Sequence, residues 1–167
     1  MRKMISILVR NHPGVLSHVA GLFTRRAYNI ESIAAGETEN PAVTRITIVV
    51  SGDESILEQV TKQLRKLIDV IKVQDLNYST SITRELVLLT LFASPERRQE
   101  IIHTANIFGA QVVDIAEKTV TVEFVGNPRQ INTIIKALAG FKVKDIARTG
   151  LVALPMESQL ELHRNVL

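Results

Sequence analysis

One order of periodicities occurs twice in this chain, and it limits the fold more than composition can. Met4-Ile5-Ser6-Ile7-Leu8-Val9 reads as a buried strand, and Val15, Leu16, Val19, Leu22 and Phe23 then fall on one helical stripe. Ile30 to Glu37 and Thr44 to Val50 alternate as two strands around the turn Glu39-Asn40-Pro41. Ser51 and Glu54 are spaced as a capping box for a second helix, with Ile56, Leu57, Val60, Leu64 and Leu67 on its stripe. Val70 to Val73 supplies a fourth strand. After the polar stretch Asn77-Tyr78-Ser79-Thr80-Ser81 the order returns. Glu85 to Ala93 is a strand, Ser94-Pro95-Glu96 a helix start, and Gly109 a left-handed helix stop. Gln111 to Ala116 and Thr119 to Val125 are strands about the Glu117-Lys118 turn. Asn127-Pro128 opens a helix that Gly140 ends, and Val143 to Arg148 closes the set.

Two βαββαβ units imply an α+β fold of two consecutive ferredoxin-like layers, each with two helices on one face of a four-stranded antiparallel sheet. The expected division is a first domain over 1–77, a linker over 78–83, a second domain over 84–152 and a tail over 153–167. A short helix is expected across 157–166. The face opposite the helices in the first unit should carry Leu8, Ile33 and Val49, or else Ile7, Ala34 and Ile48, according to register. Either set is too apolar for water, which predicts self-association.

Composition removes several function classes. With 4% aromatic residues and no Trp, the core must be aliphatic. No Cys means no disulfide and no thiolate metal site. The apolar run after Met1-Arg2-Lys3 is too short for a secretion signal, and no run reaches the length of a membrane span, so a cytoplasmic protein is expected. The formal net charge is only +3, and Arg25-Arg26, Arg97-Arg98 and Lys142-Lys144 are scattered rather than gathered into a stripe that could track nucleic acid.

No catalytic constellation emerges. His12, His18, His103 and His163 lack metal-ligand spacing with one another or with a carboxylate, and His18 and His103 read as residues of solvated helix faces. Ser17 lies in no nucleophile-elbow sequence, and Gly14 and Gly21 make no phosphate fingerprint. Asp114 and Glu117 read as ordinary strand-end acids. An RNA-recognition module of this topology would need aromatic residues on its central strands, and none lies among Ile7, Leu8, Val9, Ile46, Ile48 and Val49. An acylphosphatase-like cradle could use Arg10 and Asn11, but the loop lacks the run of small residues.

The loop Asn11-His12-Pro13-Gly14-Val15 is the candidate site. Pro13 suits a first helical turn, Asn11 or His12 could cap it, and Gly14 lets the backbone approach something small. Free amides at a helix start attract anions, and a carboxylate is the smallest organic anion a metabolite offers. A capped helix start explains the same residues without a ligand.

This loop resembles the amino-acid-binding turn of the ACT regulatory domain. Gly21-Leu22-Phe23-Thr24-Arg25-Arg26-Ala27-Tyr28-Asn29-Ile30-Glu31-Ser32, Ser51 to Glu54, Leu57 to Leu64, Arg65 to Val70, Arg84-Glu85-Leu86 and Ala147-Arg148-Thr149-Gly150 are similar to the acetolactate synthase small-subunit family. The resemblance covers about the first 150 residues and makes the first unit an ACT domain. It implies a non-catalytic regulatory subunit without a cofactor of its own, partnering a large subunit that carries thiamine diphosphate, magnesium and FAD. It also implies a homodimer through ACT domains that binds a branched-chain amino acid, usually valine, for feedback inhibition. Asn11, Gly14, Val15 and Leu16 of one chain and Asn29 and Ile30 of the other would hold the effector. The alternative is a free-standing amino-acid-sensing ACT protein with another partner. Two positions depart from the family pattern. Ala27 stands where Gly is common, so the helix is expected to run on one residue and Asn29 to take a left-handed turn. Pro155-Met156-Glu157 replaces a common Arg-Gly.

Overall fold

The computed structural model describes residues 1–26 and 28–158. Two compact units appear: residues 1–82 together with the stretch from Leu151, and residues 83–150. The first unit runs β1 (Arg2–Arg10), α1 (Val15–Arg25), β2 (Asn29–Glu37), β3 (Val43–Ser51), α2 (Glu54–Leu64) and β4 (Val70–Leu76). Its strands pair antiparallel in the order β2-β3-β1-β4, the ferredoxin-like arrangement the sequence predicts. Ile5, Ile7 and Val9 of β1 and Ile46, Ile48 and Val50 of β3 point to the helices, where Val19, Phe23, Val60 and Leu64 cover them. None of these side chains is more than 1% exposed. Each such burial contributes roughly 1.5–3 kcal/mol, so this aliphatic sandwich fixes the positions of β1 and α1.

Two local expectations change. The cap of α2 is Asp53, whose carboxylate accepts from Ile56 N at 2.8 Å; Ser51 instead ends β3, opposite Arg2. Asn29 opens β2 opposite Ser51 and is a strand residue, not a left-handed turn. The conformation expected at Ala27 lies outside the described residues.

The far face of the first sheet also differs from both sets expected for it. A bulge between Ile30 and Ser32 shifts the phase of β2, so Ile33 pairs with Ile48 on the helix side and Ala34 pairs with Thr47 on the other. That face is not bare. Met4, Val49 and Leu76 are buried with Leu151 and Ala153, which belong to the chain's own strand β9 (Val152–Pro155) and the residue before it. Beside them Arg45 Nη1 donates to Ser6 Oγ at 3.0 Å, so the rest of the face is more polar than expected. The first sheet therefore does not present the bare apolar face from which self-association is expected.

The boundary falls differently from the linker expected at 78–83 and the tail expected at 153–167. Asn77 builds a tight turn, accepting from Ser79 N at 3.0 Å and from Thr80 N at 3.1 Å, and strand β5 (Ser81–Phe92) begins at once. Met156 N donates to Thr80 O at 2.9 Å, which returns the chain to the first unit after Leu151. The helix expected over 157–166 lies, but for its first two residues, outside the described residues.

The second unit continues β5 with a 3-10 turn at Pro95–Arg97, α3 (Arg98–Ile107), β6 (Gln111–Ile115), β7 (Thr119–Gly126), α4 (Pro128–Ala137) and β8 (Val143–Arg148). Its strand order β6-β7-β5-β8 repeats that of the first unit. Gly109 stops α3 at φ 69° and Asn127 caps α4, both as the sequence predicts, and Gln130 completes a capping box beyond that expectation. Arg148 grips the buried Glu85 through two bonds of 2.7 Å, fastening β8 to β5.

Candidate functional site

The site grows from the point where β1 stops. Arg10 N donates to Asp69 O at 2.9 Å and Asn11 N to Ala42 O at 2.7 Å, so the strand end is tied on both sides. The Asn11 amide group is also committed. Its Nδ2 donates to Pro41 O at 2.9 Å and to Glu37 Oε1 at 3.2 Å, two groups that only accept, which fixes the orientation of the amide. Asn11 is therefore not the helix cap, and Oδ1 is the atom it can offer to a ligand donor such as an ammonium.

Gly14 precedes α1 at φ 90° and ψ −11°, a left-handed conformation that disfavours a side chain. No side chain caps the helix, in contrast to the role expected for Asn11 or His12, and its first turn holds no acid. Pro13 lies in the turn before the helix rather than at its first position. Val15 N donates to His12 O at 3.3 Å and His18 N to Gly14 O at 3.0 Å. Among the described residues no acceptor takes the amides of Gly14, Leu16 or Ser17. A Cβ built on Gly14 would meet nothing within 4 Å, so the space beside these amides is open. Val15 is 7% exposed and packs into the core, which leaves its side chain no part in binding; Leu16 is 46% exposed beside the loop.

Asn29 and Ile30 are not brought to this loop within one chain. Asn29 pairs with Ser51, which pairs with Arg2, whereas Gly14 follows Arg10 at the other end of the same strand. Eight residue steps along β1 span roughly 27 Å. Asn29 Nδ2 reaches Ser51 Oγ at 3.4 Å, and Ile30 is half-buried against the core.

Two residues near the loop carry no signal in the sequence. Asp69, between α2 and β4, binds His12 Nε2 at 2.8 Å and His18 Nδ1 at 3.0 Å. His18 does lie on a solvated helix face, its side chain 62% exposed, but is tied there to Asp69. The Asp69 bonds hold the His12 imidazole above its ordinary range, with Pro13 O adding to the effect, while the two histidines hold the Asp69 carboxyl below its own. Sheet register joins residues 57 positions apart, and no local spacing could have announced it.

Both halves of the chain match family models. Residues 5–72 match the AHAS small subunit-like ACT domain, and residues 84–157 match the small subunit of acetolactate synthase. The chain belongs to the acetolactate synthase small-subunit family. It is 47% identical over 157 residues to a probable acetolactate synthase small subunit of Methanothermobacter thermautotrophicus, covering 93% of this chain and 94% of that one. It is 42% identical over 149 residues to the acetolactate synthase small subunit of Mycolicibacterium smegmatis, covering 89% and 88%. The crystal structure of the small subunit from Thermotoga maritima superimposes with a TM-score of 0.85 at 36% identity, covering 93% of this chain and 97% of that one. Among the described residues no helix is long and apolar enough to cross a membrane.

Proposed function

We propose that the chain is a non-catalytic regulatory subunit of a cytoplasmic acetolactate synthase in branched-chain amino acid biosynthesis. It stimulates a large subunit that carries thiamine diphosphate, magnesium and FAD, and it confers feedback inhibition by valine. The family match over both halves carries this reading. The effector assignment rests on the left-handed Gly14 and the unspent amides behind it.

The effector carboxylate sits on the amides of Gly14, Leu16 and Ser17, at the positive end of the α1 dipole. Asn11 Oδ1 takes its ammonium. Leu16 of one copy and Ile30 of a second enclose the isopropyl group, and Asn29 of the second copy adds a polar contact. The distance along β1 supports a homodimer through the ACT domains for this effector set, since one chain cannot present both ends of its sheet to one small ligand. Reconstitution with a purified catalytic subunit tests the proposal: acetolactate formation should rise on adding the chain and fall again with valine. An unchanged rate would remove the regulatory role. Recovery of the chain from its source free of any thiamine-dependent large subunit would point to a free-standing amino-acid sensor.

A further inference from the structure

One carboxylate from another part of the fold, that of Asp69, ties the loop that opens α1 to the helix behind it. Asp69 is only 8% exposed, and its two oxygens are divided between His12 in the loop and His18 in the first turn of the helix. The second ring nitrogen of His12 is occupied too, because Nδ1 lies 2.9 Å from Pro13 O. A backbone carbonyl and a carboxylate both only accept, whereas a neutral imidazole has one donor. His12 can satisfy both partners only as an imidazolium. The charged groups that act on this ring are Asp69 from the α2–β4 connection and Arg10 from the end of β1. His18 from α1 shares the carboxylate, and Glu37 from β2 bonds the neighbouring Asn11.

We propose that His12 and Asp69 are positioning residues of the effector loop, an imidazolium locked between Pro13 O and a carboxylate, and that losing the His12 proton frees the loop and weakens effector binding. The inference rests on the effector reading above. Two effects act in the same direction. A neutral His12 must give up either its bond to Pro13 O, beside Gly14, or its bond to Asp69. It also removes the His12 positive charge from the loop that is to receive an anion, while the Asp69 carboxylate stays bonded to His18 in the first turn. The Asp69 and Pro13 O bonds raise the His12 equilibrium, which agrees with the geometry and places the change above the ordinary imidazole value of 6.5.

The test is calorimetric titration of the full-length chain with valine from about pH 6 to about pH 8.5, with the His12 ring followed by NMR. Affinity should fall roughly threefold to tenfold as the pH rises through the His12 midpoint, with proton uptake on binding there. His12→Gln should bind weakly and without that step. Asp69→Asn should keep the fold and move the His12 midpoint downward, carrying the step in affinity with it. A native affinity that stays flat while valine binds would overturn the coupling and leave the effector site standing. A His12 midpoint unmoved in Asp69→Asn would overturn the clamp. Absence of valine binding at every pH would overturn the effector reading and the coupling together, and the His12 midpoint in the two chains would then still decide on the clamp.

Discussion

The two units repeat one topology and treat its first turn in opposite ways. After β1 the helix begins at a left-handed glycine with no acid and no cap, beside open space. After β5 it begins through Ser94 and Pro95 into a 3-10 turn, and Glu96 folds back on the Ser94 hydroxyl and then its own amide, which hold its carboxyl below the ordinary range. One turn keeps an electropositive end free, and the other neutralises it from within. The far faces of the two sheets differ as well. In the first unit Leu151 and Ala153 bury Met4, Val49 and Leu76, while in the second Leu88, Phe92 and Val125 stay 37%, 40% and 51% exposed. A shared fold is thus specialised at a helix start and a sheet face, with the aliphatic sandwich between them left alone.

Gly14→Asp breaks the first contrast most severely, since it gives α1 the acid that the second unit already has. Like charges ~4 Å apart at an effective dielectric near 20 repel by roughly 4 kcal/mol, which lowers valine affinity by about three orders of magnitude. The fold should persist. The substituted Cβ meets open space, and Asp tolerates a positive φ better than most residues, at a cost of about 1 kcal/mol. The variant is expected to stimulate the catalytic subunit without responding to valine. Normal valine sensitivity in the folded variant would remove the effector from this loop.

Leu151→Ala probes the sheet faces. Leu151 is 3% exposed among Met4, Val49 and Leu76, so its truncation should cost roughly 2–4 kcal/mol in denaturant unfolding. Leu88→Ala, on the uncovered face of the second sheet, should cost less than about 1 kcal/mol. Equal costs would mean that β9 does not belong to the first unit. A shorter chain ending near Asn77 should still stimulate the catalytic subunit in part and lose some feedback response. It will also be less stable than its own helix face suggests, because it lacks the residues that cover Met4 and Val49. Asn127→Ala is a smaller change. It removes a capping box in which Gln130 N donates to Asn127 Oδ1 and Asn127 N to Gln130 Oε1, and should cost about 1 kcal/mol without touching valine binding.

The parts of this molecule that sequence reveals are those fixed by neighbours along the chain. Helical stripes, the Asn127 cap and the Gly109 stop depend on contacts within a few residues, and each is where local chemistry requires it. Hidden features depend on the sheet. The bulge near Glu31 reversed the faces of Ile33 and Ala34, because one inserted residue inverts everything that follows it. Asp53 took the cap expected of Ser51 because β3 stays paired to its last residue. The return of Leu151 to the first sheet and the meeting of Asp69 with His12 and His18 join positions far apart in sequence. At the candidate site the special glycine was visible, but what steadies its loop was not.

Glu96→Ala asks whether the acid alone separates the two helix starts. Removing the carboxylate frees the amides after Ser94 and gives the second unit an uncompensated helix end, as in the first. If charge were the whole difference, a second valine should then bind per chain at calorimetric saturation. The expected result is an unchanged stoichiometry, because the turn at Pro95–Arg97 is 3-10 and its start at Ser94 has an extended φ of −70° rather than the left-handed geometry of Gly14. The stability change should be the smallest of the set, and its pH dependence identifies the cause. A carboxyl held below its ordinary value of 4.5 stabilises the fold above that pH, and the benefit is lost as pH falls through the lowered value. The variant should therefore be less stable than the native chain near neutrality and converge with it in acid. A constant offset across that range would show that Glu96 acts through packing. A second bound valine would show that a single acid, and not the left-handed turn, sets the two units apart.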